Sequence, residues 1–364
     1  MGEGHHRARA IHGTARARVY RQPTPGDSLE QMSSFRFKNQ RIAYTEYGGG
    51  PAALTSEGTR GRTAKRSPAA SRPLILVHGL LLSQEMHRPL AEDLAARGNR
   101  VITVDLLGHG ESDRPRDMWR YSMSIFGEQV IGLMDHLEIE QAVVMGTSLG
   151  ANTALEIASV APERLRGMVI EMPVLDNGLL GSALTFTPLL VALTFGEPVM
   201  KLLAHGARAV PRRLLPHYGN VVLDLVRQEP GPSGALIQGL FFGRIAPHRT
   251  ERHTFQTPAL VLGHHRDPVH PFSDAGMLAK ELPNGRLLEA NSLVELRTQP
   301  ERLTDEIAAF LDEVWAKPRP VAKRPAVKRA AAKGGATKGK VAKSPAKRAT
   351  AKSTPARRPA KRAG

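Results

Sequence analysis

Val143-Val-Met-Gly-Thr-Ser-Leu-Gly-Ala-Asn-Thr-Ala154 decides the reading of this chain. The apolar run 142–145 predicts a short buried strand, and the residues from Ala151 onward predict a helix. Between them lies Gly146-x-Ser148-x-Gly150. A serine on so sharp a strand-to-helix turn has its hydroxyl standing clear of a sheet. The flanking glycines leave space that a Cβ would take from the neighbouring strand or helix. The N–H of the next residue, Leu149, then faces the place where an oxyanion would form.

Working outward, the same rhythm repeats. Residues 74–77 form a continuous apolar run followed by His78-Gly79-Leu80, and a helix is expected to Arg97. Residues 100–104 predict a strand ending in Asp105-Leu-Leu-Gly-His-Gly-Glu-Ser112, before a helix over 121–137. Downstream come a helix over 151–161 and a strand over 167–171. Strands alternating with helices imply βαβ units in a parallel sheet, and continuously apolar strands imply burial on both faces. Residues 35–47 alternate as an antiparallel hairpin should, and 48–72 have loop composition. Residues 172–255 break the rhythm. They are apolar, helical and dotted with Gly and Pro, and so predict an inserted cap. Strands at 258–262 and 286–289 and helices at 273–282 and 300–315 resume the pattern.

These features together resemble the α/β-hydrolase superfamily, of the single-domain type with a helical cap. The resemblance rests on His78-Gly79, on Asp105 to Ser112, on the turn at Ser148, on Asp267-Pro-Val269 and on the final helix with Phe310-Leu311. It implies an α/β fold with a mostly parallel sheet of about eight strands, helices on both faces and a cap over about 172–255. The implied domain spans 33–316, preceded by a disordered extension, 1–32, in which Met32 would serve as the true start. It also implies a serine nucleophile at Ser148, an oxyanion hole from the N–H groups of Leu80 and Leu149, and an acid at Asp267. Glu171, at the end of the sixth strand, is the alternative acid, because haloalkane dehalogenases and some other capped members carry theirs there. His78 and His109 are expected to shape loops.

One part of the pattern is absent. The family places a Gly-His pair before the proline that opens the last helix, and here that pair falls at Ser292-Leu293. No histidine follows His270. A base would have to come from His264, His265 or His270 beside Asp267, or from His87, His248 or His253. His270 is the candidate base, since it lies past the strand end. Two functions follow. One is a hydrolase acting on an ester or similar acyl bond of a small apolar substrate. The other is an impaired, hydrolase-like binding protein in which Leu293 replaces the histidine. Apolar residues of the cap, among them Leu179, Leu180, Phe186, Leu240 and Phe241, suit an acyl chain or simply pack the cap onto the sheet. No cofactor or metal is implied.

Charge is partitioned. The net +17 lies entirely in residues 317–364, which hold 17 Lys and Arg and no acidic residue, leaving 34 basic and 34 acidic residues in 1–316. This segment resembles the Lys/Ala/Pro-rich tails of linker histones. Its composition predicts disorder and non-specific contact with DNA, RNA or another polyanion, an anionic membrane surface included. The chain lacks cysteine. An apolar N-terminal leader is also missing, so a cytoplasmic location is expected, with nucleoid association through the basic tail. Residues 178–196 are uncharged. Strands of one sheet flank them on both sides, which predicts a buried or lid helix rather than a transmembrane segment.

Overall fold

The computed structural model describes residues 31–48 and 72–317. The expectations for the basic tail, the loop insertion and most of the N-terminal extension lie outside the described residues. The boundary of that extension needs one correction. Strand β1, Gln31–Phe37, already includes Met32. Its pairing with β2, Gln40–Tyr47, begins at Gln31↔Glu46, so the backbone at residues 31 and 32 is held by the sheet.

Eight strands form one sheet in the order β1-β2-β4-β3-β5-β6-β7-β8. The remaining strands are β3 (Pro73–Val77), β4 (Arg100–Val104), β5 (Ala142–Thr147), β6 (Leu165–Glu171), β7 (Ala259–His264) and β8 (Gly285–Ala290). The β1–β2 and β2–β4 pairs are antiparallel, and all others are parallel. The hairpin turns at Lys38 and Asn39, both at positive φ (45° and 69°), a geometry that matches strand twist.

Period-two alternation decides which face each side chain covers. Leu74 and Leu76 of β3 join Val143 and Met145 of β5 on one face, under α1 (Arg88–Ala96) and α11 (Glu301–Ala316). Ile75, Val77 and Val144 point to the other face. There they pack with Phe126 and Leu133 of α2 (Met123–His136) and with Ala154 and Leu155 of α3 (Leu149–Val160). Both faces are covered, which is why β3, β5, β6 and β7 are buried throughout.

Between β6 and β7 the chain forms five helices: α4 (Gly178–Phe195), α5 (Glu197–Ala209), α6 (His217–Arg227), α7 (Pro230–Phe241) and α8 (Arg249–Arg252). Buried charges fix this insertion to the sheet layer. Asp274 of α9 (Phe272–Glu281) accepts the N–H groups of Leu175 (2.7 Å), Asn177 (3.1 Å) and Gly178 (2.9 Å), and so caps the start of α4. At the far end Arg252 donates to Glu281 at 2.7 Å, with both side chains buried.

The parallel register aligns the carboxyl ends of four strands, with Val77 opposite Gly146, Thr147 opposite Glu171 and Glu171 opposite Leu262. The loops after β3, β5, β6 and β7 therefore meet at one edge of the sheet, where ligands bind in open α/β folds.

Candidate active site

Ser148 sits between β5 and α3 at φ 54°, ψ −109°. A non-glycine residue reaches that region only at a strain of order 1–3 kcal/mol. The neighbouring glycines explain how the turn closes. A Cβ on Gly146 would overlap the carbonyl of Gly150, and a Cβ on Gly150 would overlap the carbonyl of Val77. The Ser148 N–H donates to the Glu171 carbonyl at 2.9 Å, which locks the strained turn to β6.

His270 Nε2 lies 2.8 Å from Ser148 Oγ, and His270 Nδ1 lies 2.7 Å from Asp267 Oδ2. Hydrogen positions follow from the partners. Asp267 can only accept, so Nδ1 carries the proton and Nε2 is free to accept from the serine hydroxyl. The other Asp267 oxygen accepts the N–H groups of Val269 (2.9 Å) and His270 (3.0 Å). Burial of Asp267 opposes its ionisation. The hydrogen bond and charge of His270, with these two N–H groups, outweigh it and hold the carboxyl below its ordinary range. His270 and the Asp267 that holds it thus come from one four-residue turn between β7 and α9.

The other histidines considered from the sequence are engaged elsewhere. His78 donates from Nδ1 to the Gly79 carbonyl (2.9 Å) and accepts the Leu106 N–H at Nε2 (3.0 Å). His109 donates to the Leu107 carbonyl at 3.1 Å. His87 bonds the Val77 carbonyl at 3.2 Å, and burial, reinforced by the charge of Arg297, lowers its pKa to about 3. His248 caps α8, and His253 bonds the Glu281 carbonyl at 3.0 Å. His265 is exposed and stacked on Phe272.

Glu171 is not brought to His270. Its carboxylate accepts Arg297 Nη2 (2.7 Å) and Thr147 Oγ1 (2.5 Å). His264 Nε2 lies 3.4 Å away, near enough for charge but long for a hydrogen bond. Burial would raise the Glu171 pKa, but Arg297 and His264 reverse this and hold it far below the carboxylate range. Sequence reasoning missed Arg297, on the short helix α10 (Glu295–Thr298), because no local pattern marks a lone arginine as the partner of a residue 126 positions away. Leu293, at the family's usual histidine position, is exposed.

Leu80, Ser148 and Leu149 line one cavity of about 220 Å³. Most of its remaining wall is apolar, with Leu179, Ala183 and Phe186 from α4 and Ile237, Leu240 and Phe241 from α7, while Asn152 and Ser182 add polar groups. Leu149 opens α3, so its N–H has no carbonyl partner one turn back. The loop bearing Leu80 lies against the serine, since a Cβ on Gly79 would be 3.8 Å from Ser148 Cβ. A larger polar cleft of about 1100 Å³, between Leu81–Glu85 and residues of α5 and α6, does not have Ser148 among its lining residues.

A family model described as alpha/beta hydrolase fold matches residues 72–201, which run from β3 through the Ser148 turn into the cap. The fold is that of the α/β-hydrolases. Among solved structures, a hydrolase from Pseudomonas aeruginosa PA01 matches with a TM-score of 0.60 and 20% identity, covering 77% of this chain and 98% of that one. Among curated proteins, a 2-hydroxymuconate semialdehyde hydrolase from Pseudomonas sp. (strain CF600) is 37% identical over 30% of this chain and 39% of its own length. A putative 2-succinyl-6-hydroxy-2,4-cyclohexadiene-1-carboxylate synthase from Bacillus subtilis (strain 168) is 33% identical over 32% of this chain and 42% of its own. The chain therefore spans about two fifths of the length of these two relatives.

Proposed function

We propose that the protein is a serine hydrolase that cleaves an ester or similar acyl bond of a small apolar substrate. The contact of 2.8 Å between Ser148 Oγ and His270 Nε2, with Asp267 behind the imidazole, carries this reading. His270 Nε2 accepts the Ser148 proton as Oγ attacks the substrate carbonyl. The oxyanion is held by the N–H groups of Leu80 and Leu149. Collapse breaks the bond to the leaving oxygen, which takes the proton back from His270. Water then attacks the acyl-enzyme and gives its proton to His270; the second collapse breaks the bond to Ser148 Oγ, which takes that proton back as the acid is released. Asp267 holds the imidazole tautomer and balances the charge it gains. The cavity favours an apolar acyl group, and its volume lies below the ~300–1,000 Å³ typical of drug-sized ligands.

The reading as a binding protein without turnover has no support in the Ser148 environment, because a histidine stands where the base is needed and Leu293 does not line the cavity. The test is hydrolysis of p-nitrophenyl acetate, butyrate and octanoate by the intact chain beside Ser148→Ala and His270→Ala. Each substitution is expected to lower kcat by about 10⁴–10⁶. Hydrolysis unchanged in His270→Ala would refute the assignment.

A further inference from the structure

Helix α4 combines two properties that ordinary packing keeps apart. It carries no charge over its 18 residues, yet only Gly178 and Leu193 are buried. At 100° per residue its apolar residues divide into two stripes. Ala183, Phe186, Leu189 and Leu190 face the protein, the first two lining the Ser148 cavity and the others packing on the core. Leu180, Leu184, Val191 and Phe195 fall within one narrow arc on the opposite side, and Leu180, Leu184 and Phe195 are 70%, 69% and 83% exposed. The next helix repeats the anomaly, with Val199, Leu202 and Leu203 exposed along α5. Soluble monomers rarely leave so continuous an apolar surface in water.

We propose that this outer face of the cap lies in the interface of a lipid bilayer, from which an apolar ester enters the Ser148 cavity. The proposal rests on the reading of that cavity as the acyl site. Two observations choose lipid as the occupant. The rim of the cavity is itself part of the exposed apolar surface: Leu179 and Phe241 line it while being 46% and 43% exposed. A substrate leaving a bilayer would meet a mostly apolar wall on its way to Ser148, with Asn152 and Ser182 as the other polar lining residues. The flanking charge also matches lipid headgroups: Lys201, Arg208, Arg212 and Arg213 are exposed. Lys201 pairs with Glu197, and Arg212 and the nearly buried Arg227 pair with Asp224, so the uncompensated positive charge lies on Arg208 and Arg213. Apolar area with a basic border is the pattern of helices that lie in the membrane plane. Among the described residues α4 is the one helix long and apolar enough to cross a membrane. Its packing on α7 and on the cavity instead fits a helix lying along the surface.

The experiment is flotation of the full-length Ser148→Ala chain with neutral phosphatidylcholine vesicles in about 1 M salt, where a Debye length of about 3 Å removes attraction by the basic tail. The chain is expected to float, and the triple variant Leu180→Gln/Leu184→Gln/Phe195→Gln, on the same background, to lose at least about tenfold in bound fraction. With Ser148 restored, the triple variant is expected to hydrolyse p-nitrophenyl acetate as the unaltered chain does, because none of the three side chains lines the Ser148 cavity, Leu180 included, contrary to its expected place on an acyl chain. Leu184→Trp gives a second readout in case the triple variant folds poorly: its fluorescence is expected to be quenched by brominated lipid tails. Flotation without ester hydrolysis would refute the hydrolase and leave the membrane face standing. Hydrolysis without flotation, or flotation that the triple variant leaves unchanged, would overturn the membrane face. So would a dimer that the triple variant splits without any vesicle binding, because a second copy would then cover the apolar stripe.

Discussion

Asp267 and His270 are three positions apart, and that spacing alone lets one turn deliver the proposed acid and base together. Asp267→Asn should lower kcat about 10³–10⁴-fold with little change in fold, because an amide can donate to His270 Nδ1 and so favours the wrong tautomer. Steady-state kinetics beside far-UV circular dichroism checks this. Glu171 separates the two candidate acids. Glu171→Gln should leave the ester reaction within about tenfold of normal, but should cost on the order of 3–5 kcal/mol, since it strips the partner from the largely buried Arg297. Urea unfolding measures the cost, and a loss of turnover matching that of Asp267→Asn would make Glu171 the working acid. The same variant has a pH signature. Burial lowers the His264 pKa, but Glu171 raises it by more, leaving it above the ordinary value. A raised folded pKa gives stability that is full below the unfolded value of about 6.5 and is lost as pH rises through the folded value. The unaltered chain should therefore lose stability over that interval, and Glu171→Gln should lose less.

At the scale of elements, the turn between β7 and α9 and the pair α4–α7 hold the decisive geometry. One glycine inserted between Val269 and His270 should reduce ester hydrolysis to the level of His270→Ala. The thermal midpoint should move little, as the turn is partly exposed and outside the sheet ladder. Under the proposed function, chain-length preference belongs to the cap. Ala183→Leu extends α4 into a cavity of about 220 Å³. It should lower kcat/KM for the octanoate ester by at least about tenfold while leaving the acetate ester nearly unchanged, because only the longer acyl chain needs that space. Equal losses for both esters would mean that the cavity does not bind the acyl group.

For the whole molecule, the excess charge and the candidate active site occupy separate parts of the chain. The excess of 17 positive charges lies in residues 317–364, away in sequence from every residue of the candidate site. We propose that this segment binds polyanions. With 6–10 phosphate contacts, duplex DNA affinity should fall about 10³–10⁵-fold between 50 and 200 mM salt, with no sequence preference and no effect on ester turnover. Fluorescence anisotropy with two unrelated duplexes tests this, and a salt-independent or sequence-selective affinity would reject it.

Much of this protein was determined by its sequence alone. Strand–helix alternation, continuous apolar strands and the Gly-x-Ser-x-Gly turn follow from backbone sterics and local burial, so the sheet, the cap insertion and Ser148 were legible. His270 was legible only as one of several histidines. Which imidazole reaches Ser148, and which carboxylate stands behind it, depends on how the β7–α9 turn folds back over a residue 122 positions earlier. The withdrawal of Glu171 into an ion pair with Arg297 is likewise tertiary, because opposite charges choose partners by proximity in space. The exposure of α4 belongs to the same class. Composition shows that the helix is apolar, and only its packing shows that one apolar stripe has nothing over it.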